Sequence, residues 1–218
     1  MFIIMKYKHI LFDLDGTLTD PFFGITKSVR YSLAKFGIDS ELEPLKRFIG
    51  PPLIDSYMEF FGFDRERAEL AVRYYREYYT ADGMFDNRVY DGIPELLDKL
   101  KTGGHELILA TSKPIVFANM IMERFDLAKY FDFCFGCELD GRRTKKGEVI
   151  AWALENHPID TSRAIMVGDR LHDVAGAHEN KLPCAGILWG YGDRDELEAA
   201  GADFIVSDID ELREMLAE

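Results

Sequence analysis

Two carboxylates, Asp13 and Asp15, stand one residue apart at the end of the short apolar run His9-Ile10-Leu11-Phe12, and Gly16 follows at once. Like charges that close repel, and holding them at the mouth of an apolar element costs free energy that something must offset. Three readings compete for Asp13-Leu14-Asp15-Gly16-Thr17. A turn in which acidic side chains cap backbone donors explains one aspartate but not two at a strand end. A calcium loop of the EF-hand type fails on spacing, because its turn glycine would fall on Leu18 and its bidentate glutamate on Gly24. The third is a divalent cation held by carboxylate oxygens and ready to meet a phosphate. Magnesium takes one or two carboxylates plus substrate oxygens and waters, which suits this pair.

If the third reading holds, more acid and more base belong at other strand ends. The run Ala164–Val167 leads into Gly168-Asp169-Arg170-Leu171-His172-Asp173, a second acidic pair. The run Glu106–Ala110 ends in Thr111-Ser112-Lys113, which supplies hydroxyl donors and a cation. Further on, Arg142-Arg143-Thr144-Lys145-Lys146 opens a helix that continues through Gly147 to Ile150. Singly these features are weak; together they form a constellation. His172 reads as a rim or packing residue, and Lys113 either touches substrate or lies on the surface.

The elements that must hold these groups are short apolar runs alternating with helical patterns. Strands are expected at His9–Phe12, Glu106–Ala110, Phe131–Phe135, Ala164–Val167, Ala185–Leu188 and Phe204–Val206. Helices are expected at Ile93–Lys101, Ile115–Arg124, Glu148–Glu155, Val174–Asn180, Glu196–Ala200 and Ile209–Leu216. Such alternation predicts an α/β fold, a parallel sheet with helices on both faces, whose ligands bind beyond the C-terminal strand ends. One interval, about Pro21 to Asn87, contains no convincing strand. Helices are expected there near Phe23–Phe36, Leu42–Phe48, Leu53–Phe61 and Arg65–Thr80, with Gly37 and Gly62 as stops, Asp64 as an N-cap, and Asp20-Pro21 as a cap and first-turn proline. The expected division is therefore a core of residues 1–19 and 88–218 and an all-helical insert of residues 20–87. The aromatics of Arg73–Tyr79 read as packing. Arg47-Phe48-Ile49-Gly50-Pro51-Pro52-Leu53 is the candidate loop to meet a leaving group, through Arg47 and Gly50, or else a plain connector.

Composition bounds the rest. The 218 residues are 47% hydrophobic and 30% charged, an ordinary globular balance with enough apolar material for a core. A formal charge of −13 argues against nucleic acid and anionic membrane surfaces as partners, and an anionic substrate would need a cation to hold it. Met1–Met5 is apolar but too short for a signal segment, and no stretch approaches a membrane span. Three cysteines, an odd number, give no disulfide framework and point to the reducing cytoplasm. Cys134-Phe135-Gly136-Cys137 has the C-x-x-C form at a strand end rather than a helix start, and reads as buried thiols.

These motifs, in this order, resemble the haloacid dehalogenase (HAD) superfamily, over the whole chain. Asp13, Asp15 and Thr17 match its first motif; Thr111, or else Ser112, matches the second; Lys146, or its neighbour Lys145, the third; Gly168, Asp169 and Asp173 the fourth. The insert occupies the place of that superfamily's C1-type helical cap on a Rossmann-like core. F-D-L-D-G-T-L, T-S-K-P and V-G-D-R-x-x-D-V-x-G-A resemble the phosphoglycolate phosphatase-like group most. The resemblance implies a magnesium-dependent phosphatase acting through an aspartyl-phosphate. Asp13 would attack phosphorus and Asp15 would serve as acid and base. The magnesium would be held by Asp13, the Asp15 backbone carbonyl and Asp169, with Asp173 acting through a water or orienting Lys146. Gly16, Thr17, Thr111, Ser112 and Lys113 would surround the phosphate. A phosphosugar mutase shares both aspartates, and a receiver-like phosphoacceptor domain shares Asp, Thr and Lys on a parallel sheet, though without an inserted cap. Phosphoglycolate, a nucleoside 5′-monophosphate or a sugar phosphate would each suit as substrate, and the protein would be a monomer or a dimer.

Overall fold

The computed structural model describes residues 5–217, so the apolar Met1–Ile4 lies outside the described residues. Its centre is a six-stranded, all-parallel sheet of β1 (His9–Phe12), β4 (Glu106–Pro114), β5 (Phe133–Cys137), β6 (Ala164–Gly168), β7 (Cys184–Ile187) and β8 (Phe204–Val206). The spatial order is β5-β4-β1-β6-β7-β8, so the chain leaves β1 in one direction and returns to its other side. That reversal makes the C-terminal end of β1 the topological switch point, where ligand crevices open in such sheets.

β1 is buried throughout because both faces are covered, and its side chains alternate between two cores. Ile10 and Phe12 pack on one face with Leu107, Leu109, Ile165 and Val167. Leu11 packs on the other with Ile108, Ala110, Met166 and Val174. The covering helices are α4 (Ile93–Thr102), α5 (Ile115–Arg124), α6 (Lys146–Asn156), α7 (Leu171–Glu179), α8 (Arg194–Ala200) and α9 (Ile209–Ala217). Among the described residues no helix is long and apolar enough to cross a membrane.

Between β1 and α4 lies the irregular interval. A short antiparallel ladder, β2 (Thr19–Asp20) with β3 (Arg88–Val89), brackets it, and neither strand was expected from the sequence. Within it are α1 (Phe22–Ala34), α2 (Leu53–Phe61), α3 (Arg65–Ala81) and two 3₁₀ turns. Asp64 caps α3 as expected, accepting from the Arg67 amide at 2.8 Å, and Gly62 ends α2 in the left-handed region at φ 64°. The segment expected as a helix over Leu42–Phe48 is instead a 3₁₀ turn, Glu43–Phe48, opened by Pro44. Phe48, Tyr57 and Phe63 form an aromatic centre with stacked and edge-on contacts, Tyr57 and Phe63 lying 5.9 Å apart.

Three boundaries differ in a way that matters for chemistry. β4 runs to Pro114 because β5 supplies partners as far as Cys137, with an irregular step between Thr111 and Pro114. Thr111, Ser112 and Lys113 therefore belong to the strand. α6 starts at Lys146 and α7 at Leu171, each ahead of its first regular apolar residue, so Lys146 and Asp173 sit in first helical turns.

Candidate active site

Pairing brings the expected residues to one level. Phe12 is in register with Leu109 of β4 and Val167 of β6, so Asp13, Ala110 and Gly168 follow side by side. The Asp13 amide donates to the Val167 carbonyl at 3.0 Å, which fixes where its side chain starts. Asp13, Asp169 and Asp173 are all buried, and one carboxylate oxygen from each lies within 4.8 Å of the others.

Lys146 enters this cluster from α6. Its ammonium donates to the Ala110 carbonyl at 2.9 Å and lies 2.7 Å from Asp13 Oδ1 and 2.9 Å from Asp173 Oδ1. Lys145, the other candidate for this role, is exposed one residue earlier. Both carboxylate oxygens are at ion-pair distance yet off hydrogen-bond angle, so their lone pairs stay unfilled, as does buried Asp15 Oδ1. One ammonium faces three buried acids. Burial, with Asp173 and Asp13 close by, holds the Asp169 carboxyl far above the usual range. Asp173 is pushed up to about 6 by burial, against the pull of Lys146. Burial alone would lower the Lys146 ammonium, but Asp13 and Asp173 outweigh it and raise it. Converging, under-partnered hard oxygen donors with excess negative charge fit a small dication such as magnesium.

The loop after β1 is built around Asp169. Thr17 Oγ1 donates to Asp169 Oδ1 at 3.3 Å, and the Tyr191 amide donates to Oδ2 at 2.8 Å. Gly16 adopts φ +87°, and a Cβ there would fall 2.2 Å from Asp169 Oδ2, so only glycine fits. Asp15 turns away from the three acids. Its carboxylate pairs with Lys113, and burial raises it despite that partner, with Asp13 adding to the rise. Asp15 and Asp13 both face a cavity of about 710 Å³ between the sheet edge and the insert, which Thr111, Ser112 and Lys113 also line.

From the insert the cavity receives Gly50, Pro51, Pro52 and the α3 arginines 73 and 76. Tyr75 and Tyr79, expected as packing, are buried and stacked at 5.2 Å, with Phe117 of α5 against Tyr79, and they line the wall nearest Lys113. Arg47, expected to meet a leaving group, is exposed, does not line the cavity, and lays its guanidinium over the Phe60 ring at 4.2 Å. The aromatic surface of α2 offers that cation a face outside the cavity. His172 does not join the acid cluster. Cys134 and Cys137 are free thiols in β5, each pushed up to about 11 by burial.

Sequence reasoning missed three residues. Trp189 Nε1 donates to the Thr17 carbonyl at 3.0 Å, and the Tyr191 hydroxyl bonds Asp20, so the loop after β7 clamps the loop after β1. Their only signal in the sequence is Trp189-Gly190-Tyr191-Gly192 at a further strand end, which carries no acid or base to mark it. Arg170 is the third. It bridges the insert and core, donating from Nη1 to the Ile49 carbonyl at 2.6 Å and from Nε to Glu196 of α8 at 2.8 Å.

Residues 10–187 match the family described as haloacid dehalogenase-like hydrolase. The chain belongs to this family, among its phosphatases. It is 47% identical over 213 residues to a 5′-nucleotidase of Pseudomonas aeruginosa, covering 97% of this chain and 96% of that one. It is 38% identical to the tyrosine-protein kinase PtkA of Mycobacterium tuberculosis, over 95% of this chain and 72% of the relative. A crystal structure of a predicted phosphatase from Clostridium acetobutylicum superposes with a TM-score of 0.94 at 52% identity, covering 96% of this chain and 98% of the other. The parallel core and its helices are thus those of haloacid dehalogenase-like phosphatases.

Proposed function

We propose that this haloacid dehalogenase-like hydrolase is a magnesium-dependent phosphatase for a small phosphomonoester, working through an aspartyl-phosphate on Asp13. The observation that carries this reading is the convergence of Asp169, Asp173 and Lys146 on Asp13, which together with Asp15 faces the cavity.

Asp13 attacks phosphorus in line while Lys146, an ion-pair partner of both Asp13 and Asp173, balances the charge that builds in the acid cluster. Asp15 gives a proton to the leaving oxygen and later takes one from the water that splits the phosphoenzyme. Its raised proton affinity and its pairing with Lys113 suit a group that must exist in both states. Asp13, Asp169 and, from its backbone carbonyl, Asp15 would hold the magnesium, while Asp173 keeps Lys146 in line. The dication supplies charge neutralisation for the phosphoryl oxygens. Thr111 and Ser112 offer hydroxyls beside the phosphate, and Gly16 allows close backbone approach. Residues 20–87 act as a cap that opens and closes about the β2–β3 ladder, bringing Gly50 and its prolines over the substrate.

The decisive assay is phosphate release from p-nitrophenyl phosphate with and without magnesium, beside Asp13→Asn. Turnover is expected to need both. Wild-type turnover that survives chelation, or an Asp13→Asn protein of near-normal rate, overturns the mechanism.

A further inference from the structure

The cavity is larger than a phosphate needs, and its far wall has a charge pattern of its own. The chain carries 39 acidic against 26 basic side chains, so unpaired cations are not expected in any one place. Five cations nevertheless line this cavity: Arg65, Arg73, Arg76, Lys113 and Lys145. Two are committed, Arg65 to Glu69 at 3.2 Å and Lys113 to Asp15. The side chains of Arg73 and Lys145 have no ion-pair partner among the described residues, and Arg76 makes one long hydrogen bond, 3.4 Å, to the Leu139 carbonyl. The acids lining the cavity around these cations are mostly spent elsewhere: Glu69 on Arg65, Glu138 on Arg143 and Asp140 on Arg142. Asp55 alone remains against three cations.

Placement makes these charges cooperate. Arg73 and Arg76 are three residues apart on α3 and so share a face. Lys145 comes from the opposite side, at the start of α6, where its neighbour Lys146 turns into the acid cluster. Pro51, Pro52 and Leu139 lend apolar surface to the same cavity. A neutral leaving group would screen these guanidiniums from water without replacing their hydrogen bonds, which is unfavourable. A carboxylate or phosphate would satisfy them, the guanidinium fork matching either in bidentate fashion.

We propose that Arg73, Arg76 and Lys145 form an anion subsite for the leaving group, so that the preferred substrates are phosphomonoesters carrying a second anionic group. The inference rests on the phosphatase reading above and narrows it. The phosphate to be cleaved sits at the acid floor, and the second anion lies against α3.

The test uses matched substrates differing by one anion: 3-phosphoglycerate against glycerol 3-phosphate for a carboxylate, and adenosine 3′,5′-bisphosphate against adenosine 5′-monophosphate for a phosphate. Wild type is expected to favour the doubly anionic member of at least one pair by about 10-fold or more in kcat/KM, chiefly through KM. The pair that shows it identifies the anion. In Arg73→Gln/Arg76→Gln, and more weakly in Lys145→Met, that ratio should fall toward one, with turnover of the singly anionic member reporting that the variant is folded. Equal use of both members by wild type, or a preference that survives the double substitution, overturns the subsite while the phosphatase reading stands. If wild type hydrolyses none of the four but turns over p-nitrophenyl phosphate, the subsite alone is overturned; if it turns over neither, the phosphatase reading falls and the subsite with it.

Discussion

The two walls of the cavity are made differently. Behind the core wall the side chains of the acid cluster are buried and each has at least one neighbour: Lys146 has Asp13, Asp173 and Ala110, and Asp169 has Thr17 and Tyr191. On the insert wall the polar side chains stand on a helix surface, and two of its arginines are uncommitted or nearly so. Buried charges cost so much that they persist only where neighbours offset them, and the carboxylate oxygens still without a partner leave room for a cation to complete the cluster. Exposed guanidiniums cost little to leave waiting for a ligand. Under the proposed function, the core wall would carry a fixed reaction and the insert wall the choice of substrate.

The largest effects should come from the core wall. Asp13→Asn removes the attacking oxygen and should lower kcat by more than about 10³-fold, while leaving the melting temperature close to wild type. A modest loss, measured by burst and steady-state phosphate release, would move the nucleophile elsewhere. Next comes Gly16→Ala. A methyl 2.2 Å from Asp169 Oδ2 must displace that carboxylate, and φ +87° adds backbone strain. Misplacing one acid by that much should cost about 10²-fold in turnover and should also remove thermal stabilisation by added magnesium. If added magnesium stabilises wild type and Gly16→Ala equally, Asp169 is not a ligand.

The same contrast explains what the sequence could reveal. Asp13 stood out because β1 is buried on both faces and so reads as unbroken apolar residues that stop at an acid. Asp169 followed β6 in the same way. α6 and α7 start two and three residues before the expected Glu148 and Val174 because their first turns face the site, where polar residues interrupt the apolar period. β2 and β3 are two residues each, too short to have a pattern. On the insert wall, position in the chain says nothing about direction. Arg47 and Arg73 are both basic residues on helical segments, and only the packing of α1, α2 and α3 decides which one meets the cavity. Trp189 and Tyr191 act through two side-chain donors and one backbone donor, a role that no residue type advertises.

Arg170 joins the walls and gives an intermediate effect. Its guanidinium ties the Ile49 carbonyl to Glu196, while its backbone amide separately holds Asp173 at 3.0 Å. Arg170→Met keeps the amide and loses the tie. Because the arginine is half-buried, a cost of about 1 kcal/mol is expected, read as a rise of roughly 5-fold in KM with kcat less affected and faster proteolysis at Ile49–Pro52. A fall in kcat with KM unchanged would mean that Arg170 serves the acid loop and not the insert.

The smallest effect belongs to Arg47. Its guanidinium lies 4.2 Å from the Phe60 ring and 5.7 Å from Phe61, outside the cavity. Arg47→Ala should therefore lower unfolding stability by about 0.5–1 kcal/mol, the worth of an exposed cation–π contact, and change kcat/KM by less than about 2-fold. Urea unfolding and steady-state kinetics on the same sample decide it. A large rise in KM with unchanged stability would mean that the loop turns inward when substrate binds, and the division between a reacting wall and a selecting wall would then have to include Arg47 in the second.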